Sequence, residues 1–270
     1  MIKKSLRNFY IFLIFIFLYA PIGTLMVLSF NASRTRAKWG GFTLKWYIAL
    51  LDNREIMQAL WNTLFIALVS SFTAVIIGTI ACIAIDGMSR KKKAVFLGIT
   101  NIPMLNADIV TGISLMLLFL SLGLKFGMGT ILLAHITFNI PYVILSVMPR
   151  MRQLNPHTYE AALDLGASPL TAFFKVVFPD ILPGILSGFL MAFTMSLDDF
   201  IITHFTKGAG VDTLSTKIYT EVKKGIKPEM YALSTLIFLT VLILLILVNK
   251  TPKEPAASRK KPVLPEASKA

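Results

Sequence analysis

Asp108, Asp198 and Asp199 are the only Asp, Glu, Lys or Arg side chains inside the long apolar stretches of this sequence. An aspartate at the centre of an apolar helix costs about 2.5–3.5 kcal/mol on insertion scales, so such a group faces a polar interior or a pathway. With no Lys or Arg at depth, these carboxylates give a passing cation negative, hydrogen-bond-accepting groups and nothing positive to oppose it. That chemistry favours a polyamine or another organic cation over an anion such as molybdate or sulfate. Adjacent residues on a helix point about 100° apart, so Asp198 and Asp199 cannot face one spot equally. One of them lines a pathway while the other bonds a neighbouring helix or subunit. For Asp108 the competing reading is a cap on a helix break near Pro103, accepting backbone N–H bonds. Asn139, Tyr142 and Thr203 are further polar candidates, with Pro141 placed to kink the chain beside Asn139 and Tyr142.

A second group of residues carries local structural signals rather than charge at depth. Asn155-Pro156 is an N-cap followed by proline at the first helical position. Ala161, Ala162, Leu163 and Leu165 favour helix, and Gly166 is placed to end it in a left-handed cap. Ser168-Pro169 repeats the cap-and-proline start, and the second short helix is expected to stop before Pro179. Two capped helices joined by a glycine elbow make a rigid knob between two apolar stretches.

Other chemistries find no footing. The chain lacks a G-x-x-x-x-G-K-[ST] phosphate loop and even a Gly-Lys dipeptide, so no ATP site is expected in it. His135, His157 and His204 fall in three separate segments, which leaves no nucleophile–base constellation, and the catalytic set is expected to be empty. Cys82 is the single cysteine, so neither a disulfide framework nor a cysteine metal site is available. No cofactor and no metal are expected.

The elements that must position these residues follow from composition. The chain is 55% hydrophobic and 15% charged, where a soluble domain carries roughly a quarter charged residues. So much apolar side chain requires lipid as solvent. The net charge of +13 does not indicate nucleic acid, because the basic residues lie between or beyond the apolar stretches, where they set topology and meet lipid. Six stretches are long enough to span, at residues 9–30, 59–85, 94–122, 130–148, 181–206 and 231–249. The first, 22 uncharged residues, exceeds the ~7–15 apolar residues of a signal peptide and is expected to stay as an anchor. With both termini cytoplasmic, inner segments hold 16 Lys and Arg against 11 outside; the strongest element is the tight cluster Arg90 to Lys93 in a very short loop. The expectation is an all-α integral membrane protein of six transmembrane helices over residues 1–250, followed by a disordered cytoplasmic tail, 251–270, rich in Pro, Lys, Ala and Ser.

The knob also carries a resemblance. Glu160-Ala161-Ala162, three residues, Gly166, nine residues and then Val176-Val177-Phe178-Pro179 resembles the EAA loop of permease subunits of binding-protein-dependent ABC importers. Asp108-Ile109-Val110, His135-Ile136-Thr137-Phe138, Ser196-Leu197-Asp198-Asp199 and residues 214–233 resemble the spermidine/putrescine permeases of that family; the first outer loop and the tail do not match. The resemblance implies a type I importer permease in a bacterial inner membrane. Its cytoplasmic coupling helix, between the fourth and fifth spans, would dock on an ATPase through Glu160, Ala161, Ala162 and Gly166. It further implies an ATPase dimer that binds the ATP, a second homologous permease, and an extracytoplasmic solute-binding protein near the loop 207–230. Another solute for the same architecture, and a stand-alone secondary cation transporter, are the competing readings; the absence of an evident internal repeat counts against the latter.

Overall fold

The computed structural model describes residues 2–35 and 37–250; the expected tail at 251–270 lies outside them. The described residues divide into two compact units, one made of those up to 50 together with 227–250, the other of 51–226.

In the first unit, α1 (Ile2–Ser29) and α12 (Pro228–Lys250) are long apolar helices. The loop after α1 is organised by buried Asn31. Its side chain donates to the Lys38 carbonyl and accepts from the Ser33 and Gly40 amides. The Asn31 carbonyl accepts from the Trp46 indole at 2.7 Å. Trp46 belongs to the short helix α2 (Lys45–Asp52).

The second unit contains α3 (Arg54–Asp86), α4 (Arg90–Leu105), α5 (Asp108–Ser121), α6 (Met128–Met151), α7 (Pro156–Asp164), α8 (Pro169–Ala172), α9 (Phe178–Asp198), α10 (Ile201–Thr206) and α11 (Leu214–Lys224). Asn53 caps α3 by accepting from the Glu55 and Ile56 amides. The core lies where α3, α6 and α9 meet, built from Ala74, Cys82, Val143, Val147, Ile181 and Ala192. Small residues permit this close approach, as in other helix packings within lipid. A Cβ at Gly78 would sit 2.7 Å from Val143 Cγ1 and 2.9 Å from Val143 Cβ. Val143 is β-branched, stiff in a helix, and cannot swing away. Gly78→Leu is therefore expected to cost about 2–3 kcal/mol through overpacking. A lowered unfolding midpoint in detergent would register this, and an unchanged midpoint would mean that α3 and α6 separate freely.

Two expected spans are interrupted. The third is two helices, α4 and α5, bent by 102° at Asn106 and Ala107. Asp108 is the first residue of α5 rather than its cap, and Ala107 at the cap position offers no side-chain acceptor. The fifth ends as a continuous helix at Asp198; Asp199 is extended, with φ −63° and ψ 125°, before α10 begins. Counting the bent pair as one, five helical segments among the described residues are long and apolar enough to cross a membrane. α12, 23 residues long, covers the sixth predicted stretch.

The knob folds as its caps dictate. Asn155 Oδ1 accepts from the His157 amide and Ser168 Oγ from the Thr171 amide. Gly166 takes φ +85°, and the Gly166 and Ala167 amides donate back to Leu163 and Ala162, the paired bonds of a Schellman cap. Pro179 does not stop the second helix. Residues Phe173–Val177 form a π-helical turn leading straight into α9. The Phe178 amide donates to the Phe173 carbonyl, and widening the turn here accommodates a proline that has no N–H to offer.

Candidate functional site: an acidic cleft beside a broken helix

Four of the predicted residues come together. Asp108 at the start of α5, Tyr142 on α6, Asp198 at the end of α9 and Asp199 in the break line one cleft of about 370 Å³ with Phe138, Thr194, Met195, Phe200, Ile201 and Ile202. Among the described residues, no Lys or Arg is on its wall. The bend before Asp108 and the break after Asp198 bring carboxylates from two different helices to this cleft. The cleft floor is the apolar contact of Phe119, Ala134, Phe138 and Ile202, with Tyr142 and Leu115 against it.

The adjacent aspartates divide their work. Asp199 is folded into the protein, its side chain 10% exposed. Its carboxylate accepts from the Ile202 amide at 3.2 Å, the Thr203 amide at 2.8 Å and the Thr203 hydroxyl at 2.8 Å. It thus caps α10, where a negative charge also meets the positive end of the helix. Asp198 and Asp108 are exposed in the cleft, and neither carboxylate has a hydrogen-bond or ion-pair partner among the described residues.

Asn139 is not brought to the cleft. It is fully buried, and neither polar atom of its amide has a partner among the described residues. Thr203 is buried as well and serves Asp199 and His135.

Sequence reasoning treated His135 as isolated, whereas the fold gives it three polar neighbours. Its Nδ1 lies 2.6 Å from Ser196 Oγ, and its Nε2 lies 2.9 Å from Thr203 Oγ1 and 3.4 Å from Asp199 Oδ2. Ser196 Oγ is 3.2 Å from Ser70 Oγ on α3. Ser, His and Asp side by side suggest a nucleophile relay, but Ser196 is 3% exposed, so no substrate reaches it. The serine and carboxylate also sit on the opposite ring nitrogens from those of a hydrolase triad. This is a buried polar network whose signal in the sequence was a histidine within an otherwise apolar stretch. Among the described residues no three His, Cys, Asp or Glu side chains converge as a metal site.

Toward the loop before α11, the Phe200 ring lies 4.5 Å from that of Tyr219 on α11, and the Lys223 ammonium sits 4.6 Å over the Tyr219 ring. The start of α11 is pinned to α3: the Asn62 amide donates to the Asp212 carbonyl, and the Leu214 amide to Thr63 Oγ1. Lys217 of α11 pairs with Glu55 at 2.5 Å, and that carboxylate holds its ammonium above the ordinary lysine range.

On the knob, Glu160 is exposed and lies 3.3 Å from exposed His157, one turn earlier on α7. Leu165 and Leu170 flank the elbow with 89% and 72% of their surface exposed.

Residues 74–250 match the family described as binding-protein-dependent transport system inner membrane component. The chain is 37% identical over 246 residues to the spermidine/putrescine transport system permease protein PotC of Escherichia coli (strain K12), covering 91% of this chain and 93% of that protein. It is 39% identical over 243 residues to the putrescine transport system permease protein PotI of the same organism, covering 87% and 86%. Its fold is similar to the crystal structure of a bacterial ABC transporter involved in the import of the acidic polysaccharide alginate, with TM-score 0.73, 15% identity, and coverage of 93% and 97%.

Proposed function

Since the chain belongs to the binding-protein-dependent transport system inner membrane components, we propose that it is the membrane-spanning permease subunit of an ATP-driven importer whose cargo is a polyamine. The observation that carries the cargo is the cleft: among the described residues, Asp108 and Asp198 have no hydrogen-bond or ion-pair partner, Tyr142, Phe138 and Phe200 lie beside them, and no basic side chain is on the wall. An alkylammonium chain needs carboxylates for its charged ends and aromatic or apolar surface for its methylenes. Both curated relatives are named for spermidine or putrescine transport, which supports the same class here.

In this reading six spans cross the inner membrane. They are α1, α3, the bent pair α4–α5, α6, the α8-to-α10 segment and α12. Both termini are cytoplasmic, an orientation supported by the basic residues around Arg90 to Lys93. The outer face meets a solute-binding protein through the α10–α11 loop, and the exposed apolar faces meet lipid. The cleft is open, and a second, homologous permease completes it. The chain has no nucleotide site of its own; an ATPase pair binds ATP and docks on α7 and its glycine elbow through Glu160, Ala161, Ala162 and Gly166. Closure of that pair pulls α7, whose connection through α8 and the π turn into α9 ends at Asp198. The coupling helix and the carboxylate are thus two ends of one nearly continuous element.

Uptake of labelled spermidine and putrescine into proteoliposomes holding the full assembly tests this. ATP-dependent uptake is expected, at least ten-fold above vesicles without ATP. Uptake that persists without any ATPase would replace the importer reading with a secondary transporter. Intact binding-protein-stimulated hydrolysis with neither polyamine moved would overturn the cargo alone.

A further inference from the structure

The hydrogen bonds around His135 form one continuous buried chain. Thr203 Oγ1 donates to Asp199 Oδ2 at 2.8 Å, so its lone pair is left to accept from His135 Nε2–H at 2.9 Å. On the other side of the ring, Nδ1 lies 2.6 Å from Ser196 Oγ, which in turn lies 3.2 Å from Ser70 Oγ; the Ser70 hydroxyl donates to the Ala67 carbonyl at 3.4 Å. The chain of hydrogen bonds runs from α3 through α9, α6 and α10 to the carboxylate that caps α10. His135, Ser196, Ser70 and Thr203 are all buried, where a broken link strands a polar group in low dielectric at appreciable cost.

The residue at the end of this relay immediately follows Asp198. The direction in which Asp198 leaves α9 is fixed by the backbone of Asp199, and that backbone is held by the same cap. His135 joins the cap to the α3–α9 packing: its ring is a bridge between Ser196 on one side and Thr203 with Asp199 on the other.

We propose that His135 is a positioning residue for the cleft, locking Asp199 over the first turn of α10 so that the helix break presents Asp198 to the cargo. Its effect on transport rests on the importer reading above; its effect on the break does not. The cargo never touches His135, which acts through Asp199.

The test uses the assembled importer with His135→Phe, which keeps a ring but removes both polar atoms, and His135→Gln, whose terminal amide can donate where Nε2 does. Hydrogen exchange is followed for α10, α3 and α6, alongside uptake per ATP hydrolysed. In His135→Phe the Ile202 and Thr203 amides are expected to exchange at least ten-fold faster while α3 and α6 keep their rates. Uptake falls at least ten-fold with stimulated hydrolysis retained, and His135→Gln recovers most of both. Thr203→Val, which cuts the next link without changing volume, should reproduce the local exchange pattern if His135→Phe assembles poorly. Unchanged exchange at Ile202 and Thr203 overturns the proposal, as does an equal rise throughout α3 and α6, or wild-type uptake in His135→Phe. Faster local exchange in an assembly whose wild type moves no polyamine upholds the positioning role and removes only the cargo.

Discussion

Replacing Asp198 by Asn is expected to lower polyamine uptake ten- to a hundred-fold while leaving the amount of assembled importer unchanged. The substitution is nearly isosteric and removes one negative charge from a cleft with no Lys or Arg on its wall. A hydrogen bond to a charged group contributes about 1.5–3 kcal/mol, which corresponds to a loss of this order. Asp198 has no partner among the described residues, so the fold loses no bond. Adding Asp108→Asn removes the cleft's other unpaired carboxylate and is expected to bring uptake to background. Asp199→Asn differs in kind. It weakens three bonds that cap α10 and should reduce stability along with transport. The measurement is initial uptake rate per assembled complex, with binding-protein-stimulated hydrolysis as the internal control. Wild-type uptake in the Asp108→Asn, Asp198→Asn double variant would sink the cleft as the cation pathway.

The second large effect is expected at the other end of the same element. Glu160→Lys reverses a charge on an exposed face of α7 and turns its pairing with His157 into repulsion when that ring is protonated. Surface changes of this kind alter stability by about 0.5 kcal/mol or less, so unfolding of the isolated subunit should be unchanged. A like-charge clash across a docked interface costs several kcal/mol, which is enough to abolish productive contact with the ATPase. Uptake is therefore expected to fall at least a hundred-fold, and the ATPase should no longer co-purify. Retained ATPase with normal uptake would mean that the partner docks elsewhere. The exposed Leu165 and Leu170 beside the elbow give a graded version: their replacement by Ser should weaken docking without eliminating it.

Much of the knob was legible because its signals are local. Asn155, Ser168 and Gly166 act on amides and carbonyls within five residues, so residue type and spacing alone fix where α7 begins and ends. The same holds for membrane embedding, which depends on how many apolar side chains run consecutively. Pro179 was misleading because the outcome depended on the backbone before it. A proline predicts a stop only if the preceding turn stays α-helical, and here it opens into a π turn.

The acidic cleft was half legible. Charge at depth singled out Asp108, Asp198 and Asp199, but which aspartate is spent on structure could not be read from two identical neighbours. That was decided by a helix break and by a histidine 64 positions away in the chain. The links holding that histidine join residues 61 and 68 positions apart, and no periodicity or local propensity encodes a contact of that length. Sequence by itself determined that this chain is a helical membrane protein with carboxylates at depth and a capped knob between two spans, since each depends on counts or on neighbours within a turn or two. Only the tertiary structure decided that Asp199 is a cap, that Asn139 is buried away from the cleft, and that Asp108 and Asp198 share it, because those outcomes depend on which helices pack together.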